Sequence, residues 1–230
     1  SMSNTVFAVL RVKYDQNNGI TGVPTVTARI RNSLNKPGDV ILDYLKNDRY
    51  GCAIPAANID ADSFTALNTY ADQSISVYDG ETGQTTTQAR YRINGVIDTR
   101  VNCLTNLVSV AETADSWIQW NELTGKWGVK INESLQEAGG STSTMMVVTS
   151  DQILGGISIT PLDLNSTYNK FKVEFPNAEI RDQTDYRYYE MDAGDLSPNE
   201  PSNEMSIRLP LCNDSAQAEY IAYRKLFGSR

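Results

Sequence analysis

The sequence predicts a mixed α+β fold, mostly β, and three observations lead to this prediction. Runs rich in Val, Ile, Thr and Tyr recur along the chain and alternate with Gly, Asn and Pro turns. Apolar residues follow a helical spacing in only four places. One segment, WIQWNELTGKWGVKIN, places two strands around a turn at residues 123–126 and therefore predicts a tryptophan-rich β-hairpin.

The composition is that of a folded protein with an acidic surface. The chain has 230 residues, 40% of them hydrophobic, and a formal net charge of −8. No run of Lys or Arg is present to replace the counterions of a phosphate backbone, so we expect no specific nucleic-acid binding. No stretch of about 18 apolar residues occurs, so we expect no membrane span. Three dispersed cysteines without a C-x-x-C pair predict reduced thiols rather than a disulfide framework.

Histidine is absent from the sequence, and its absence restricts the chemistry that the chain can perform. Serine–histidine and cysteine–histidine nucleophiles, histidine general bases and most transition-metal sites all need an imidazole. Catalysis would have to use carboxylates, Lys, Tyr or a metal bound by oxygen ligands. Because each acidic cluster considered below favours a structural role, we expect a protein that is not an enzyme, with no catalytic, cofactor-binding or metal-binding residues.

The predicted strands form two groups. The first group lies at residues 4–14, 25–32, 74–80 and 89–99 and in the tryptophan hairpin. The second group lies at residues 145–150, 155–161, 168–175, 185–191 and 204–211. The polar stretch ETGQTTTQ, residues 81–88, is predicted to be a loop. Small residues in EAGGSTST, residues 137–144, separate the two groups and indicate a linker at a domain boundary.

Four helices are predicted from apolar faces and capping residues. They cover residues 35–46, a segment that begins after Asp60 or Asp62, residues 101–111 and residues 215–227. Asn35 is expected to cap the first helix, with Pro37 in its first turn. Asp214 and Gln217 resemble a capping box at the start of the last helix.

The first helix ends in VILDYLKNDRYG, residues 40–51, where several hydrogen-bonding side chains follow an apolar turn. Such a cluster could be the corner of an active site, but no nucleophile with a base lies nearby in the sequence. Helix ends leave carbonyl groups unpaired. We expect Arg49 to bond them, Tyr50 to lay its ring over the apolar face and Gly51 to supply a left-handed exit. The prediction is a structural helix-end motif made of Tyr44, Asn47, Arg49, Tyr50 and Gly51.

Other acidic clusters favour structural roles. DADSF, residues 60–64, resembles the start of a calcium loop, but the ligand positions that follow carry the wrong residues, which favours a helix start. The carboxylate pairs Asp182/Asp185 and Glu200/Glu204 could serve a glycosidase if they faced each other across a cleft. Both pairs lie in loop-like sequence, so we expect them to be structural.

Three tryptophans in the hairpin could form a platform on which a sugar stacks. Trp117 and Trp127 are expected to share a sheet face that packs on a helix. Trp120 does not share the alternation face of Trp117, and it is the residue expected to be exposed and available for glycan contact.

Six segments in this order resemble one protein family. They are KPGDVILDYLKNDRYGCAI, DADSFTALNTYAD, RYRINGVIDT, WIQWNELTGKWGVKI, SITPLDLNSTYNKFKVEFPNAE and IRLPLCNDSAQAEYIAYRKL. The chain resembles a central piece of the tail tip attachment protein J, the central tail hub or host-specificity protein, of lambda-like long-tailed phages and prophages. The resemblance covers nearly all of the chain. It departs at GDLSPNEPSNE, residues 194–204, and it does not include the long C-terminal region that contacts the receptor in that family.

The resemblance implies a structural role in a virion. In this family three copies close the distal end of the tail tube and match its hexameric rings through duplicated tube-like β domains. Residues 1–33 would end a first tube-like domain, 34–135 would be an inserted α+β domain, and 136–230 a second tube-like barrel or sandwich with a C-terminal helix. The implied location is the virion tail tip, assembled in the host bacterial cytoplasm.

The resemblance also implies the partners. They are other copies of the chain in a homotrimer, the tail tube and tape-measure proteins, and a host receptor contacted through regions outside this chain. DNA would pass through such a hub, and an acidic chain without basic patches is suited to a conduit that must not bind DNA.

Two alternatives from other classes stay open. A carbohydrate-binding or adhesin module would use exposed Trp and Tyr faces, beginning with Trp120. A cell-wall hydrolase would use one of the carboxylate pairs as its acid and base.

Overall fold

The computed structural model describes residues 7–23, 25–26, 32–79, 84–134, 149–158, 160 and 167–229. The chain divides into two compact units, Ser1–Ser33 and Leu34–Arg230. This division coincides with the first of the two boundaries expected from the sequence.

The first unit contains a tight turn. Asp15 and Ile20 exchange two backbone hydrogen bonds of 3.0 and 2.8 Å, and Gln16–Asn18 form a 3-10 turn between them. Gly19 ends this turn with a φ of 73°, in the left-handed region that glycine adopts without strain. The turn joins the two segments that the sequence predicts as strands.

The described parts of those two segments are not strands. Residues 7–14, 25–26 and 32 have no strand conformation, since the Asp15–Ile20 bridge is isolated and no ladder continues from it among the described residues. Residues 4–6 and 27–31 lie outside the described part. The alternation of β-branched residues therefore predicted a strand conformation that the described residues 7–14 do not have, whereas most of the strand predicted at 25–32 lies outside the described residues.

The second unit contains, within its described residues, four helices and seven strands. The helices are α1 (Pro37–Lys46), α2 (Ala61–Ala71), α3 (Cys103–Thr113) and α4 (Ser215–Gly228). The strands are β1 (Ser74–Asp79), β2 (Gln84–Ala89), β3 (Ser116–Asn121), β4 (Lys126–Ile131), β5 (Lys170–Asn177), β6 (Gln183–Glu190) and β7 (Glu204–Arg208). Among the described residues helices and strands contain similar numbers of residues, so the fold is mixed α+β with substantial strand content.

The strands form three small sheets. β1 pairs with β2, and β3 pairs with β4, each in an antiparallel hairpin. The third sheet has the order β6-β5-β7, with β5 antiparallel to β6 and parallel to β7. None of these sheets, as far as the described residues extend, closes into a barrel.

Capping residues mark the starts of α1 and α4, directly before their apolar faces begin. Pro37 occupies the first turn of α1, and its N-cap is Lys36 rather than the expected Asn35. The carboxylate of Asp214 accepts the backbone N–H of Gln217 at 2.7 Å, as the sequence predicts for the start of α4. A side-chain acceptor at this position satisfies one of the N–H groups that a helix start leaves unpaired.

One hydrophobic core joins the helices to the third sheet. β5 alternates buried and half-buried residues, and its buried face contains Phe171, Val173 and Phe175. The core continues through α1, α2, α3 and α4, with fully buried residues such as Ile41, Leu45, Phe64, Leu67, Ile221 and Leu226.

Gln217 connects parts of the core that are far apart in sequence. Its Oε1 accepts the N–H of Arg92 at 2.9 Å, and its Nε2 donates to the carbonyls of Arg92 and Thr113 at 3.1 Å each. Described residues before and after the expected 135/136 boundary thus belong to one core and one compact unit. The predicted linker at 137–144 lies outside the described residues.

Two predictions around residues 81–99 are wrong. The stretch predicted as a polar loop contains β2, which pairs with β1 along its whole length. The stretch after it, predicted as a strand, has no strand conformation beyond Ala89. Its backbone instead bonds separate parts of the core: Tyr91 N–H reaches the carbonyl of Ala71, and Ile93 N–H reaches that of Asn35. The alternation arises because Tyr91 and Ile93 are both buried.

The second strand group is only partly present. Strands β5, β6 and β7 are where the sequence predicts them, whereas described residues 155–158 and 160 form no strand. Most of the strand predicted at 145–150 lies outside the described residues.

Candidate functional site

The helix-end motif joins α1 to its neighbours through hydrogen bonds. Tyr44 is buried, and its hydroxyl accepts a hydrogen bond of 2.9 Å from Nδ2 of Asn106 in α3. The side chain of Asn47 folds back on the chain, and its Oδ1 accepts the backbone N–H groups of Arg49 at 2.9 Å and Tyr50 at 3.2 Å. Asn47 therefore fixes the direction in which the chain leaves α1.

Backbone groups, rather than Arg49, satisfy the carbonyls at the end of α1. The N–H of Cys52 donates to the carbonyl of Tyr44 at 2.9 Å, and the N–H of Ile54 donates to that of Leu45 at 2.8 Å. The following segment returns along the helix and completes its last turn. The exposed side chain of Arg49 makes none of these bonds. The expectation that Arg49 bonds the free carbonyls of α1 is therefore wrong.

Gly51 is needed for a different reason from the one the sequence suggested. A Cβ atom at this position would lie 2.0 Å from the carbonyl oxygen of Tyr44 and 2.9 Å from that of Asn47. The left-handed residue is instead Ala53, with a φ of 52°. Gly51 therefore allows a close approach of two backbone segments, not a left-handed exit.

Tyr50 bonds back to α1 from the surface of the motif. Its hydroxyl donates to Oδ2 of Asp43 at 2.6 Å, and this bond, with some burial, raises the pKa of Tyr50. The ring is 43% exposed, so it shields the helix end only in part. The chemistry of the motif is hydrogen bonding that holds a helix end.

We expect Asn47→Ala to lower the free energy of unfolding by about 1–2 kcal/mol, because two backbone N–H groups lose their acceptor. Arg49→Ala is the matched control and should change it by less than about 0.5 kcal/mol, since it removes only an exposed side chain. Urea unfolding followed by tryptophan fluorescence measures both. A larger loss for Arg49→Ala than for Asn47→Ala would return Arg49 to the role expected from the sequence.

The fold brings two of the dispersed cysteines close to the helix end. Cys103 Sγ lies 3.8 Å from the carbonyl oxygen of Gly51, which it can reach with a weak hydrogen bond. Burial, followed by the neighbouring Cys103 thiol, raises the pKa of Cys52 to about 11. Burial raises the pKa of Cys212 to about 12. All three cysteines are free thiols in the structure.

We expect Cys52 and Cys212 to resist alkylation in the folded protein. The thiolate is the reactive form, and an unfolded cysteine has a pKa near 8.5, so the raised pKa values leave about 300-fold less thiolate for Cys52 and about 3,000-fold less for Cys212 at pH 7.5. Iodoacetamide labelling with and without urea, read by peptide mass spectrometry, measures the difference. Equal labelling rates in both conditions would contradict the raised pKa values.

A buried ion cluster, which the sequence did not reveal, lies where α3, β4 and α4 meet. Asp115 is fully buried; Nε of Arg224 donates to its Oδ2 at 2.9 Å, and Nζ of Lys225 lies 2.8 Å from its Oδ1. Nδ2 of Asn132 donates to both carboxylate oxygens at 3.1 Å, and Arg224 also donates to the carbonyl of Asn132. Three donor groups, which make four contacts with one carboxylate, satisfy its charge in the interior.

Asp115 also has a strained backbone, with a φ of 46° at the turn between α3 and β3. Asp tolerates this region better than most residues because its short side chain can bond locally. Only its position just after a predicted helix could have indicated this turn. Its cationic partners lie 109 and 110 residues away in sequence, and no local pattern predicts such a cluster.

The carboxylate pairs proposed for a glycosidase have local structural partners. Nδ2 of Asn177 donates to Asp185 at 2.8 Å and, as the first cause, lowers the pKa of that carboxyl group. Glu200 accepts the backbone N–H of Ser197 at 2.9 Å and a bond from Asn169 at 3.3 Å. A general acid for glycoside hydrolysis needs a raised pKa, and Asp185 has the opposite shift.

In the tryptophan hairpin, the three indole rings are distributed over the two faces differently from the prediction. Trp120 lies directly opposite Trp127 in the ladder, with ring centroids 5.4 Å apart in an edge-to-face arrangement. Trp117 pairs with Lys130 and belongs to the other face. The expected shared face of Trp117 and Trp127 is therefore wrong. Trp117 and Trp120 are 51% and 44% exposed.

The exposed face of the third sheet is polar and already internally paired. Nζ of Lys172 lies 4.1 Å from the ring centroid of Tyr186, and Nζ of Lys170 lies 4.9 Å from that of Tyr188. Lys170 also forms a 2.6 Å ion pair with Glu190. On this face, therefore, lysine side chains lie over tyrosine rings.

In the part of the chain that the structure describes, no three His, Cys, Asp or Glu side chains are grouped so that they could hold a metal ion. The described helices include none that is long and apolar enough to cross a membrane. Comparison with protein-family models and with curated proteins finds no match to this chain.

Proposed function

We propose that this chain is a non-enzymatic structural component of a phage tail tip, a central piece of the hub that closes the tail tube and takes part in host attachment and DNA passage. The observation that carries the proposal is the ordered set of six sequence segments that resembles the tail hub family. In this proposal the chain assembles in the host bacterial cytoplasm as part of a homotrimer. Its partners are the tail tube and tape-measure proteins.

Exposed apolar side chains in the first unit support the part of the proposal that concerns residues 1–33. Phe7, Val9, Leu10, Tyr14 and Val23 are between 57% and 88% exposed. A soluble domain seldom leaves so many apolar side chains in water within a short segment. The segment is suited to be the end of a tube-like β domain whose remaining strands, or a neighbouring copy, cover these side chains.

A comparison of this chain with a longer chain that adds the upstream β domain tests the proposal. Each subunit of a threefold hub must present two tube-like domains to a sixfold tube, and ring contacts need both edges. This chain alone should be a monomer or a weak oligomer, because with one domain edge missing we expect each contact to bury less than the roughly 1,000 Å² of a stable interface. Sedimentation analysis should show a shift toward trimer for the longer chain. A longer chain that stays monomeric at tens of micromolar contradicts the proposal.

The exposed tryptophans favour a second candidate function, a carbohydrate-binding or adhesin module. Trp117 and Trp120 lie on opposite faces of the hairpin, and both are exposed. Sugar rings stack on exposed indoles, so a glycan array should lose its signal in Trp120→Ala if this module is present. Trp117→Ala is the matched variant on the other face. Binding unchanged by both substitutions excludes this site.

A further inference from the structure

A groove of about 210 Å³ lies between β1, β6 and α4 in the second unit. β1 contributes Ile75 and Ser76, and Tyr189 of β6 lies on the opposite side. Glu219, Tyr220 and Tyr223 of α4 also line it, together with Val77 and Ala216. None of these residues belongs to the helix-end motif, the ion cluster or the tryptophan hairpin.

The floor of the groove is aromatic and partly exposed. The rings of Tyr189 and Tyr223 lie edge to face with centroids 5.0 Å apart, and Phe227 lies 4.7 Å beyond Tyr223. The guanidinium of Arg90 already lies 4.1 Å from the ring centroid of Tyr70 and 5.7 Å from that of Tyr220, which lines the groove. Among the described residues no lysine or arginine lies over Tyr189 or Tyr223. Their rings therefore offer electron-rich surface to a cation from outside.

One carboxylate lines the groove, and two others act electrostatically on Tyr189 in its floor. Glu219 is exposed and lines the groove. Burial, and then the charges of Tyr223, Asp192, Glu219 and Asp195, raises the pKa of Tyr189. No ion pair to Glu219, Asp192 or Asp195 is formed by the part of the chain that the structure describes. The groove is thus complementary in charge to a cationic ligand.

The third wall of the groove is a strand edge. β1 pairs with β2 on one side, and the N–H of Arg90 donates to the carbonyl of Gln73 at 2.9 Å next to that ladder. Hydrogen-bonding direction alternates along an antiparallel strand, so Ile75 faces β2 and Ser76 directs its N–H and carbonyl to the other edge. Among the described residues no strand pairs with this edge of β1, and an open edge of this kind accepts an added strand.

We propose that this groove binds an extended segment of a partner protein that carries a lysine or arginine. The segment pairs its backbone with Ser76 at the edge of β1. Its basic side chain lies over Tyr189 and Tyr223, with the charge directed toward Glu219. This interaction is independent of the tail-hub proposal, because it depends only on residues of the groove.

The test uses the whole chain, a capped peptide of sequence Thr-Val-Lys-Val-Thr, and a twin peptide with norleucine in place of the lysine. NMR titration should shift the amide signal of Ser76 and the ring signals of Tyr189 and Tyr223. The lysine peptide should bind about 3- to 30-fold more tightly than its twin, the range expected for a cation on an aromatic face. Equal affinity of the two peptides, or no saturation at millimolar concentration, overturns the proposal.

Two variants locate the binding. Glu219→Gln removes a charge from an exposed side chain without changing its size. It should weaken the binding of the lysine peptide about 3- to 10-fold and leave the binding of the norleucine peptide unchanged. Tyr223→Leu should reduce the preference for lysine, whereas Tyr186→Leu, on the exposed face of the third sheet, is the control and should not. A lysine preference that survives both Glu219→Gln and Tyr223→Leu places the binding elsewhere and overturns the proposal.

Discussion

Asp115→Ala should lower the free energy of unfolding of Leu34–Arg230 by about 3–5 kcal/mol, the range found when one partner of a buried ion pair is removed. The substitution leaves Arg224 and Lys225, whose side chains are only 15% and 26% exposed, without their anion. It also removes the acceptor of the Asn132 amide. Urea unfolding is the measurement, and all three tryptophans report on this unit because they lie in β3 and β4.

Two further variants separate charge from shape. Asp115→Asn keeps the size of the side chain and tolerates the positive φ, so the loss that it shows measures the charge together with one acceptor oxygen, without a change of shape. Arg100→Ala removes an exposed ion pair with Asp98, in which the arginine side chain is 90% exposed, and should cost less than about 0.5 kcal/mol. If Asp115→Ala costs no more than Arg100→Ala, the cluster is not a source of stability.

The sequence predicted the elements whose signals are local. α3, α4 and the tryptophan hairpin follow from apolar spacing, a capping carboxylate and a glycine turn, each contained within about a dozen residues. The ion cluster around Asp115 could not be predicted in this way, because its members come together only when α4 packs beside β4. Long-range partners depend on tertiary packing, on which a local pattern carries no information.

The errors between residues 81 and 99 have the same origin. Tyr91 and Ile93 alternate with polar residues because their side chains enter the core from a non-strand segment, which bonds the end of α2 and Asn35, two residues before α1. The polar threonines of β2 form a strand because β1 is there to pair with them. Strand propensity reflects the neighbours of a segment as much as its own residues.

At the candidate site the sequence identified residues that hold the helix end, but it assigned some of them the wrong role. Asn47 and Tyr44 do hold the helix end. The sequence assigned the free carbonyls to Arg49, because it could not show that residues 52–54 return along the helix. The position of the tryptophans depended likewise on the register of the hairpin, in which a shift by one residue moves every side chain to the other face.

Gly51→Ala should lower the free energy of unfolding by about 2–3 kcal/mol, near the upper end of the usual cost of overpacking. The added Cβ would lie 2.0 Å from the carbonyl oxygen of Tyr44, and that backbone atom cannot rotate away as a side chain could. Relief requires the segment after Gly51 to move, which breaks the bonds from Cys52 and Ile54 to the end of α1. Gly156→Ala, where no atom lies within 4 Å of the added Cβ, is the control and should have little effect.

Gly51→Asn decides between the two roles considered for this glycine. Asn adopts left-handed backbone conformations more readily than most residues, so a left-handed exit would tolerate Asn much better than Ala. A close approach tolerates neither, because both residues carry the Cβ that meets the carbonyl of Tyr44. We therefore expect Asn and Ala at this position to give losses within about 0.5 kcal/mol of each other in urea unfolding, given ordinary surface variation. Substantially greater stability of Gly51→Asn would restore the left-handed role.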